Sequence, residues 1–200
     1  MPESSPPLGR RERNKQAKLD RIIAAADELF FDHGVDDVTT AQIAEKADIG
    51  SGTLFLYAKS KGELLLMVQN SSYANSLVRG RTAAEKIPQT LEAVMAILTE
   101  VVHCNRKQVE NGRTYLREMV FGDPEEPHRR AALELSQQTQ EAIAAVLQRD
   151  QLIDSSHATT LARVISAIMF LTMASSVNAT AGIEEIIQSI RGQVAAILPQ

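Results

Sequence analysis

The chain has 200 residues and a formal net charge of −4; 44% of its residues are hydrophobic and 23% are charged. This length and apolar fraction suit a globular protein of one or two domains, while the single cysteine, Cys104, excludes an intramolecular disulfide framework and a cysteine-based zinc site and so indicates a reducing compartment. Tryptophan is absent, glycine and proline are few, and Ala, Leu, Ile, Glu and Gln dominate, which predicts an all-α fold.

The N-terminal segment is rich in proline and cations and lacks the apolar stretch of a secretion signal, so we expect a disordered basic arm over residues 1–14. Six cations lie between Arg10 and Arg21, yet residues 1–62 carry nine Lys or Arg against ten Asp or Glu. Because cations that neutralise phosphates supply nonspecific DNA affinity, DNA binding would require the acids of residues 27–37 to face away from the duplex. The cations of the arm could lie along a minor groove or form a merely solvated run: Arg10, Arg11 and Arg13.

Residues 38–61 show the pattern of two short helices joined by a tight turn. Thr39 or Thr40 can accept hydrogen bonds from the free N–H groups that begin the first helix. Asp48 falls at the turn, where the backbone needs a residue that tolerates the left-handed region, and Ile49 can fill the space between the helices. The inward residues of the first helix are apolar and mostly small: Ile43, Ala44 and Ala47.

The second helix of this pair is predicted to begin at Gly50 or Ser51 and to turn Leu54 inward. Its outer face then carries small or apolar side chains and is free of acids. Such a surface suits the major groove of DNA. The residues left on or near this face are Ser51, Gly52, Thr53, Phe55 and Leu56.

These residues resemble the signature of the TetR family of bacterial transcriptional regulators. The matching run is Gly52-Thr53-Leu54-Phe55-Leu56-Tyr57, followed by Lys59-Ser60-Lys61 and Glu63-Leu64-Leu65. Upstream, the first helix of the family and its glycine stop are similar to Ile22-Ile23-Ala24-Ala25-Ala26, Leu29-Phe30 and His33-Gly34. The resemblance covers roughly Lys15 to Met67, with departures at three positions where the family usually or often has Gly, Lys and Phe: Asp48, Ser51 and Ala58.

The resemblance implies an N-terminal three-helix DNA-binding domain over residues 15–62, with the helix-turn-helix at about 39–58. It also implies a C-terminal helical ligand-binding and dimerisation domain over residues 63–200, for about nine helices in all. The partner would be a double-stranded DNA operator, contacted by Thr39, Thr40, Ser51, Gly52, Thr53, Phe55, Leu56, Tyr57 and Lys61.

Different roles are expected within this DNA-binding set. Thr40, with the N–H groups at the start of its helix, Tyr57 and Lys61 would hold phosphates. Gly52 would let the backbone approach the duplex, while base edges would be read by Ser51, Thr53 and Phe55. For Phe55 and Tyr57 the alternative is ordinary packing between helices.

The remainder of the chain is predicted to be helical, with turn residues at its breaks. An uncharged run over residues 164–183 has the length of a membrane span, but polar residues dilute it, so we interpret it as a buried helix and expect no membrane partner. The predicted helices are Gly62 to about Arg79, Pro88 to near Asn111-Gly112, Thr114 to Phe121, about Pro127 to Gln148, a helix capped by Ser155 or Ser156 and stopped by Gly182, and Ile183 to Ile197.

The last two helices carry much apolar surface and several small residues, which favours packing against a second copy. In the TetR family these helices form a four-helix interface, so the resemblance implies a homodimer. It also implies a pocket for a small molecule, which methionine and aromatic side chains would make apolar, although each of them could equally be core. The candidate lining residues are Met95, His103, Cys104, Tyr115, Met119, Phe121, Met169, Phe170 and Met173.

The sequence therefore predicts a cytoplasmic, ligand-responsive transcriptional regulator, with repression implied by the resemblance alone. Its effector would be small and apolar or aromatic. We expect no cofactor, no metal site and no enzymatic activity, because the sequence has no phosphate-binding glycine loop, nucleophile elbow or paired histidines at metal-ligand spacing. The rival interpretation is a helical ligand carrier or protein-binding module without DNA affinity, which the acidic N-terminal domain favours.

Overall fold

The computed structural model describes residues 9–199, and every regular element in that range is helical, which confirms the all-α class. Nine α-helices and one short 3-10 turn at Ser176–Asn178 make up this range. In chain order the helices are α1 (Arg10–His33), α2 (Thr40–Lys46), α3 (Ser51–Leu54), α4 (Lys61–Glu85), α5 (Thr90–Arg106), α6 (Val109–Phe121), α7 (Pro127–Leu147), α8 (Ser155–Ala174) and α9 (Ile183–Ile197).

Helices α1 to α3 form the N-terminal unit around one apolar stripe of α1. Ile22, Ala26 and Phe30 recur every four residues, so they share one helix face, and each is at most 2% exposed. They belong to the same core as Ile43 of α2 and Leu54 of α3, both fully buried. Burying side chains of this size contributes about 1.5–3 kcal/mol each, which holds the two short helices on the long one.

The prediction of a disordered arm over residues 1–14 is wrong for residues 10–14, which form the first turns of α1. Neither glycine nor proline occurs between Arg10 and His33, so nothing breaks the helix on its N-terminal side. A hydrogen bond of 2.8 Å from Gln16 to Asp20, one turn apart, supports this end. Residues 1–8 of the predicted arm lie outside the described residues.

The central element is α4, which packs against α1 of the N-terminal unit and against α5, α6 and α7 of the C-terminal part. It is capped by Ser60, whose hydroxyl accepts a hydrogen bond from the N–H of Glu63 at 3.1 Å. A Cβ on Gly80 would lie 2.8 Å from the Cα of Ile97, so glycine allows α4 and α5 to pack closely. Helix α4 therefore contacts both parts of the molecule, so a displacement of the C-terminal helices can be transmitted through it to α1.

The prediction of one helix from Pro88 to Asn111-Gly112 is wrong, because α5 ends before Gln108. The Gln108 side chain caps α6 by accepting a hydrogen bond of 2.8 Å from the N–H of Asn111. Gly112 lies inside α6, where an added Cβ would stand 2.0 Å from the carbonyl oxygen of Asn105. The Asn-Gly pair therefore allows two helix ends to pack closely and does not stop a helix.

Asn111 joins α6 to the end of α1. Its side chain is buried, accepts a hydrogen bond of 2.7 Å from the N–H of Val35 and donates one of 2.6 Å to the carbonyl of Phe30. We expect Asn111→Ala to lower the free energy of unfolding by about 2 kcal/mol, because the buried Val35 N–H loses its acceptor, while the Phe30 carbonyl keeps the N–H of Gly34 at 3.0 Å. Denaturant unfolding measures this, and Asn75→Ala, at an exposed position of α4, is the control. A loss of less than about 1 kcal/mol would contradict the role of Asn111 as a clamp that joins α6 to the end of α1.

The prediction that Ser155 or Ser156 caps the next helix and that Gly182 stops it is wrong at both ends. The cap is Asp154, whose carboxylate accepts from the N–H groups of Ser156 and His157 at 2.9 Å each. At the other end α8 stops at Ala174, and Gly182 is the N-terminal cap of α9.

The segment between α8 and α9 is held by a buried arginine of α5. The guanidinium of Arg106 donates to the carbonyls of Asn178 and Ala181 at 3.0 and 2.7 Å. The uncharged run over residues 164–183 is thus divided among α8, the 3-10 turn and the first residue of α9. Among the described residues, α8 is the one helix long and apolar enough to cross a membrane by composition, and 44% of its apolar window is buried inside the protein.

Candidate nucleic-acid interface

The turn of the helix-turn-helix has the backbone that the sequence predicts. Asp48 has a φ of +53°, the left-handed region, and Ile49 is half-buried between the helices. Arg21 of α1 donates to the Asp48 carboxylate at 3.2 Å. This ion pair is highly exposed, so it contributes little to stability, and the turn depends mainly on the tolerance of aspartate for its conformation.

A pair of substitutions at the turn tests this explanation. Asp48→Gly should leave the free energy of unfolding within about 0.5 kcal/mol, since glycine adopts a positive φ freely but loses more entropy on folding. Asp48→Val should lower it by about 1–2 kcal/mol, because a branched Cβ crowds the carbonyl in this conformation. Thermal or denaturant unfolding measures both, and equal stabilities for the two variants would show that the turn is not strained.

Thr39 and Thr40 differ in their surroundings. Thr39 caps α2 and closes a capping box with Gln42: its hydroxyl accepts from the Gln42 N–H at 3.3 Å, and its own N–H donates to the Gln42 side chain at 2.8 Å. The Thr39 hydroxyl also donates to that side chain, so its hydrogen bonds stay within its own helix. The hydroxyl of Thr40 makes no hydrogen bond with the part of the chain that the structure describes. Thr40 is therefore the better placed of the two for a phosphate.

The recognition segment, residues 50–57, is short and mostly exposed. After the single turn of α3 it continues in turns to Tyr57, and Leu54 is its one buried residue. Phe55 is 48% and Leu56 is 83% exposed, although burying side chains of this size would be favourable within the protein. The segment therefore presents an outer face that could meet a duplex.

Gly52 lies at the centre of this face. A Cβ added there would meet no atom of the protein within 4 Å, and the residue has no positive φ that would demand glycine. The fold itself therefore gives no reason for the missing side chain. Close approach of an external surface would give one.

Tyr57 and Lys61, the expected phosphate contacts, are both half-buried and tied to their neighbours. The ring of His128, at the start of α7, donates to the backbone carbonyl of Tyr57 at 3.2 Å. The Lys61 ammonium donates to the carbonyl of Asp36 at 3.0 Å. The recognition segment is thus fixed to the C-terminal helices at its end.

A basic hollow of about 570 Å³ lies between the first turns of α1 and Tyr57. The sequence does not single out two of its cations, Lys15 and Lys18, as DNA contacts. Their spacing could have indicated this role, because cations three or four residues apart lie on one face of a helix. The residues of the basic hollow are Arg10, Arg11, Asn14, Lys15, Lys18 and Tyr57.

Several acids of the N-terminal unit lie away from the basic hollow. Asp27 lines a cleft against the C-terminal helices, and Asp36 lines a groove beside α6 and α8. Glu28 forms an ion pair of 2.7 Å with Lys46. These three carboxylates therefore lie away from the place where phosphates would bind beside Tyr57. DNA binding by an acidic domain requires such a separation of its charges.

The nine candidate pocket residues do not converge on one cavity. Met119, Phe121 and Phe170 line a groove of about 600 Å³ between α6 and α8, here called the α6–α8 groove. Its other apolar walls are Leu116, Val120, Ala167, Leu171 and Ala174, and its polar rim consists of Asp36, Glu110, Arg113, Thr114 and Arg117.

Two further candidates lie elsewhere. His103 and Cys104 line a separate cleft of about 340 Å³ between α1 and helices α4 to α6, here called the interdomain cleft; its floor includes Phe30, Leu65 and Val68. Burial raises the pKa of the Cys104 thiol, and hydrogen bonding to Ser76 partly opposes this. The thiol is therefore not an activated nucleophile at neutral pH.

The remaining four candidates are core residues that line neither cavity: Met95, Tyr115, Met169 and Met173. Helical spacing does not distinguish a wall of a pocket from a packed interior, which explains the difference. Within residues 9–199 no group of three or more His, Cys, Asp or Glu is placed to hold a metal ion.

A polar chain inside the molecule leads from the core to the recognition segment. The hydroxyl of Tyr115 donates to the side chain of Asn70 at 2.9 Å, and Asn70 donates to the carbonyl of His128 at 2.8 Å. His128 in turn holds the carbonyl of Tyr57. Sequence reasoning missed Asn70 and His128, since neither lies in a motif and their contacts join residues 58 and 71 positions apart.

Comparison with known proteins supports a regulatory role for the N-terminal part. Residues 22–68 match the family model described as bacterial regulatory proteins, tetR family. An uncharacterized HTH-type transcriptional regulator of Haemophilus influenzae is 37% identical over 54 residues, which are 26% of this chain and 29% of that protein. The uncharacterized HTH-type transcriptional regulator TtgW of Pseudomonas putida is 36% identical over 83 residues, 42% of this chain and 61% of that protein. The chain thus spans less than two thirds of each of these curated relatives.

The fold of most of the chain is similar to solved structures. FadR of Thermus thermophilus, a TetR family transcriptional repressor in complex with lauroyl-CoA, matches with a TM-score of 0.69 at 22% identity, over 91% of this chain and 96% of that chain. FadR of Bacillus subtilis in complex with stearoyl-CoA matches with a TM-score of 0.65 at 14% identity, over 90% and 99% of the two chains. At such identities the likeness shows the fold alone.

Proposed function

The chain belongs to the TetR family through its helix-turn-helix domain, and on this premise we propose that it is a ligand-responsive transcriptional regulator that binds a palindromic operator as a homodimer. Repression relieved by a small apolar or aromatic effector is the mode we propose. Its N-terminal residues match proteins that are named as HTH-type regulators and not as enzymes. Such a protein works where its DNA is, so we place it in the cytoplasm.

The observation that carries the proposal is the exposed recognition segment beside the basic hollow. Residues 50–57 keep one side chain, Leu54, in the core and leave Ser51, Phe55 and Leu56 exposed for a partner. Cations of α1 lie next to Tyr57, where they can neutralise phosphates flanking the groove that the segment enters. A short helix presenting small side chains beside cations matches the requirements of the major groove.

The dimer is proposed to form through the faces of α8 and α9 that lie outside the α6–α8 groove. On α8, Val164 is 42% exposed and Ile168, one turn further along the same face, is half-buried, and neither residue lines the groove. On α9, Gly192 is exposed and has open space around its Cβ position. Apolar side chains opposite a small-residue face allow two helix pairs to pack closely, and the two recognition segments would then reach half-sites about 34 Å apart or somewhat more.

The effector is proposed to occupy the α6–α8 groove. Its apolar walls include three of the residues that the sequence singles out, and its volume is ordinary for a ligand site. Two cations and two anions on its rim balance in charge, which favours an apolar or aromatic molecule. The groove also touches Asp36, whose carbonyl accepts from Lys61, so an occupant can bias the position of the N-terminal unit. Because the similar FadR structures hold lauroyl-CoA and stearoyl-CoA, acyl-CoA esters belong among the first effectors tested.

A footprint of the purified protein on DNA flanking its own gene tests the function. Protection of an inverted repeat at low salt, released on addition of an effector, is the expected result. A helical ligand carrier would bind effector yet protect no DNA even at low salt. That outcome would overturn the regulatory assignment.

Substitutions in the interface should separate positioning from reading. Tyr57→Ala and Lys61→Ala are expected to weaken binding by roughly tenfold on all operator variants alike, since phosphates carry no sequence information. Replacing Ser51 or Phe55 by alanine should change which operator variant is preferred, because these side chains would meet base edges. Affinity measured across a panel of operator point variants distinguishes the two groups, and identical selectivity for all four proteins would contradict the assignments.

A further inference from the structure

The interdomain cleft is distinct from the site proposed for the effector. Its walls come from α1 of the N-terminal unit and from α4, α5 and α6, and it shares no residue with the α6–α8 groove. Its volume of about 340 Å³ is enough for one small molecule with a single ring and too small for a nucleotide-sized one.

The floor of the interdomain cleft is apolar. Phe30, Leu65 and Val68 lie at its base and are 2%, 0% and 3% exposed. Phe31, which is 48% exposed, forms part of the wall. An aromatic ring placed here would contact apolar atoms below and the Phe31 side chain beside it.

Lys107 gives the interdomain cleft a cation that can pair with an anion. Lys107 lies with its ammonium 4.6 Å from the centre of the Phe31 ring, and no carboxylate among the described residues forms an ion pair with it. Arg79 is already paired with Glu100 at 2.8 Å. Asp27 is the one carboxylate among the described lining residues. A single cation is thus left for a ligand, which suits one carboxylate better than a multiply charged phosphate.

We propose that the interdomain cleft binds a small aromatic carboxylate, with its ring on Phe30, Leu65 and Val68 and its carboxylate paired with Lys107. Binding requires no DNA, so the site stands or falls separately from the regulatory role. Because the walls come from both parts of the molecule, an occupant changes the balance between their relative positions, and linkage then couples it to any partner of the N-terminal unit.

Cys104 supplies a local reporter for this site, since it is the one cysteine of the chain and lines the cleft half-buried. The rate of its alkylation by iodoacetamide at about pH 8.5, where part of the thiol is ionised, follows access to the cleft. Saturating phenylacetate is expected to slow alkylation at least fivefold. Phenylacetamide, which has the same ring but no charge, is expected to slow it less than twofold.

Two variants locate the effect. Lys107→Gln should raise the phenylacetate concentration needed for half protection at least tenfold, whereas Arg81→Gln, an exposed arginine of α4 that does not line the cleft, should leave it unchanged. Ser72→Phe, at an exposed position on the wall, would place an apolar ring in the cleft and should abolish protection.

Three results would overturn the proposal: no protection by phenylacetate, equal protection by the amide, or undiminished protection in Lys107→Gln. Circular dichroism of each variant confirms that it is folded. A failed operator footprint with intact phenylacetate protection would remove the regulatory role and leave this site standing. The reverse pattern would remove the site alone.

Discussion

Gly192→Gln is expected to convert the proposed dimer into a monomer and to lower its affinity for an inverted repeat by on the order of 10²-fold or more, because two linked half-site contacts become one. The glutamine side chain would project from the exposed face of α9, where no atom of the same protomer lies within 4 Å of the Cβ position. Only a second copy packed on this face would be displaced. Analytical ultracentrifugation measures the assembly, and fluorescence anisotropy with labelled operator measures the affinity.

The matched control for this substitution is Ala145→Gln, at an exposed position of α7 away from the α8 and α9 faces. Glutamine is a better helix former than glycine by about 0.5–1 kcal/mol, so loss of helix content does not explain a monomer. A variant that remains dimeric would show that the protomers associate elsewhere. A monomer with undiminished operator affinity would separate assembly from DNA binding and contradict the palindromic mode.

Gly52→Ala is the second substitution with a large expected effect, a loss of operator affinity of roughly 10–100-fold without loss of stability. Within the protein the new methyl group meets nothing, and alanine favours the helical conformation of α3. In the complex the same methyl group would hold the backbone away from the duplex. Binding and unfolding measured on the same preparation give both quantities.

Gly182→Ala, at the start of α9, is the control for this variant, since its added Cβ would make only an ordinary contact of 3.7 Å with Glu185. It should bind operator as the unsubstituted protein does. If Gly52→Ala binds equally well, the recognition segment does not approach DNA through its backbone at this residue. If it binds poorly and is also destabilised, the glycine serves the fold instead.

The helix-turn-helix could be predicted because its determinants lie close together in the chain. A capping threonine, a residue with left-handed backbone at Asp48 and an inward Leu54 act over fewer than twenty residues, and each has a local physical signature. Local signals misled where tertiary packing decided the outcome. At Asn111-Gly112 the same residue types that end helices instead allow two helix ends to pack closely.

The sequence predicted which residue types would line a pocket, but it did not predict where in the fold those residues would lie. Met95 and His103 lie on one helix and share the residue types expected of a cavity wall, yet one is buried in the core and the other opens to the interdomain cleft. Which helix face meets which neighbour is set by the arrangement of α4 to α8, and periodicity does not encode it. The groove is lined by Met119, Phe121 and Phe170, and it could be identified only once the structure placed α6 beside α8.

The clamp at Asn111 and the contact from His128 have a consequence for how the molecule can be divided. Three backbone groups of the N-terminal unit, those of Phe30, Val35 and Tyr57, find their partners on α6 and α7. An excised fragment ending near residue 60 would leave the Val35 N–H and the Tyr57 carbonyl to water, while the Phe30 carbonyl would keep the N–H of Gly34, and it would expose the apolar side of α1 that faces α4. We therefore expect the two units to unfold in one cooperative transition, and we expect the isolated N-terminal unit to be unstable.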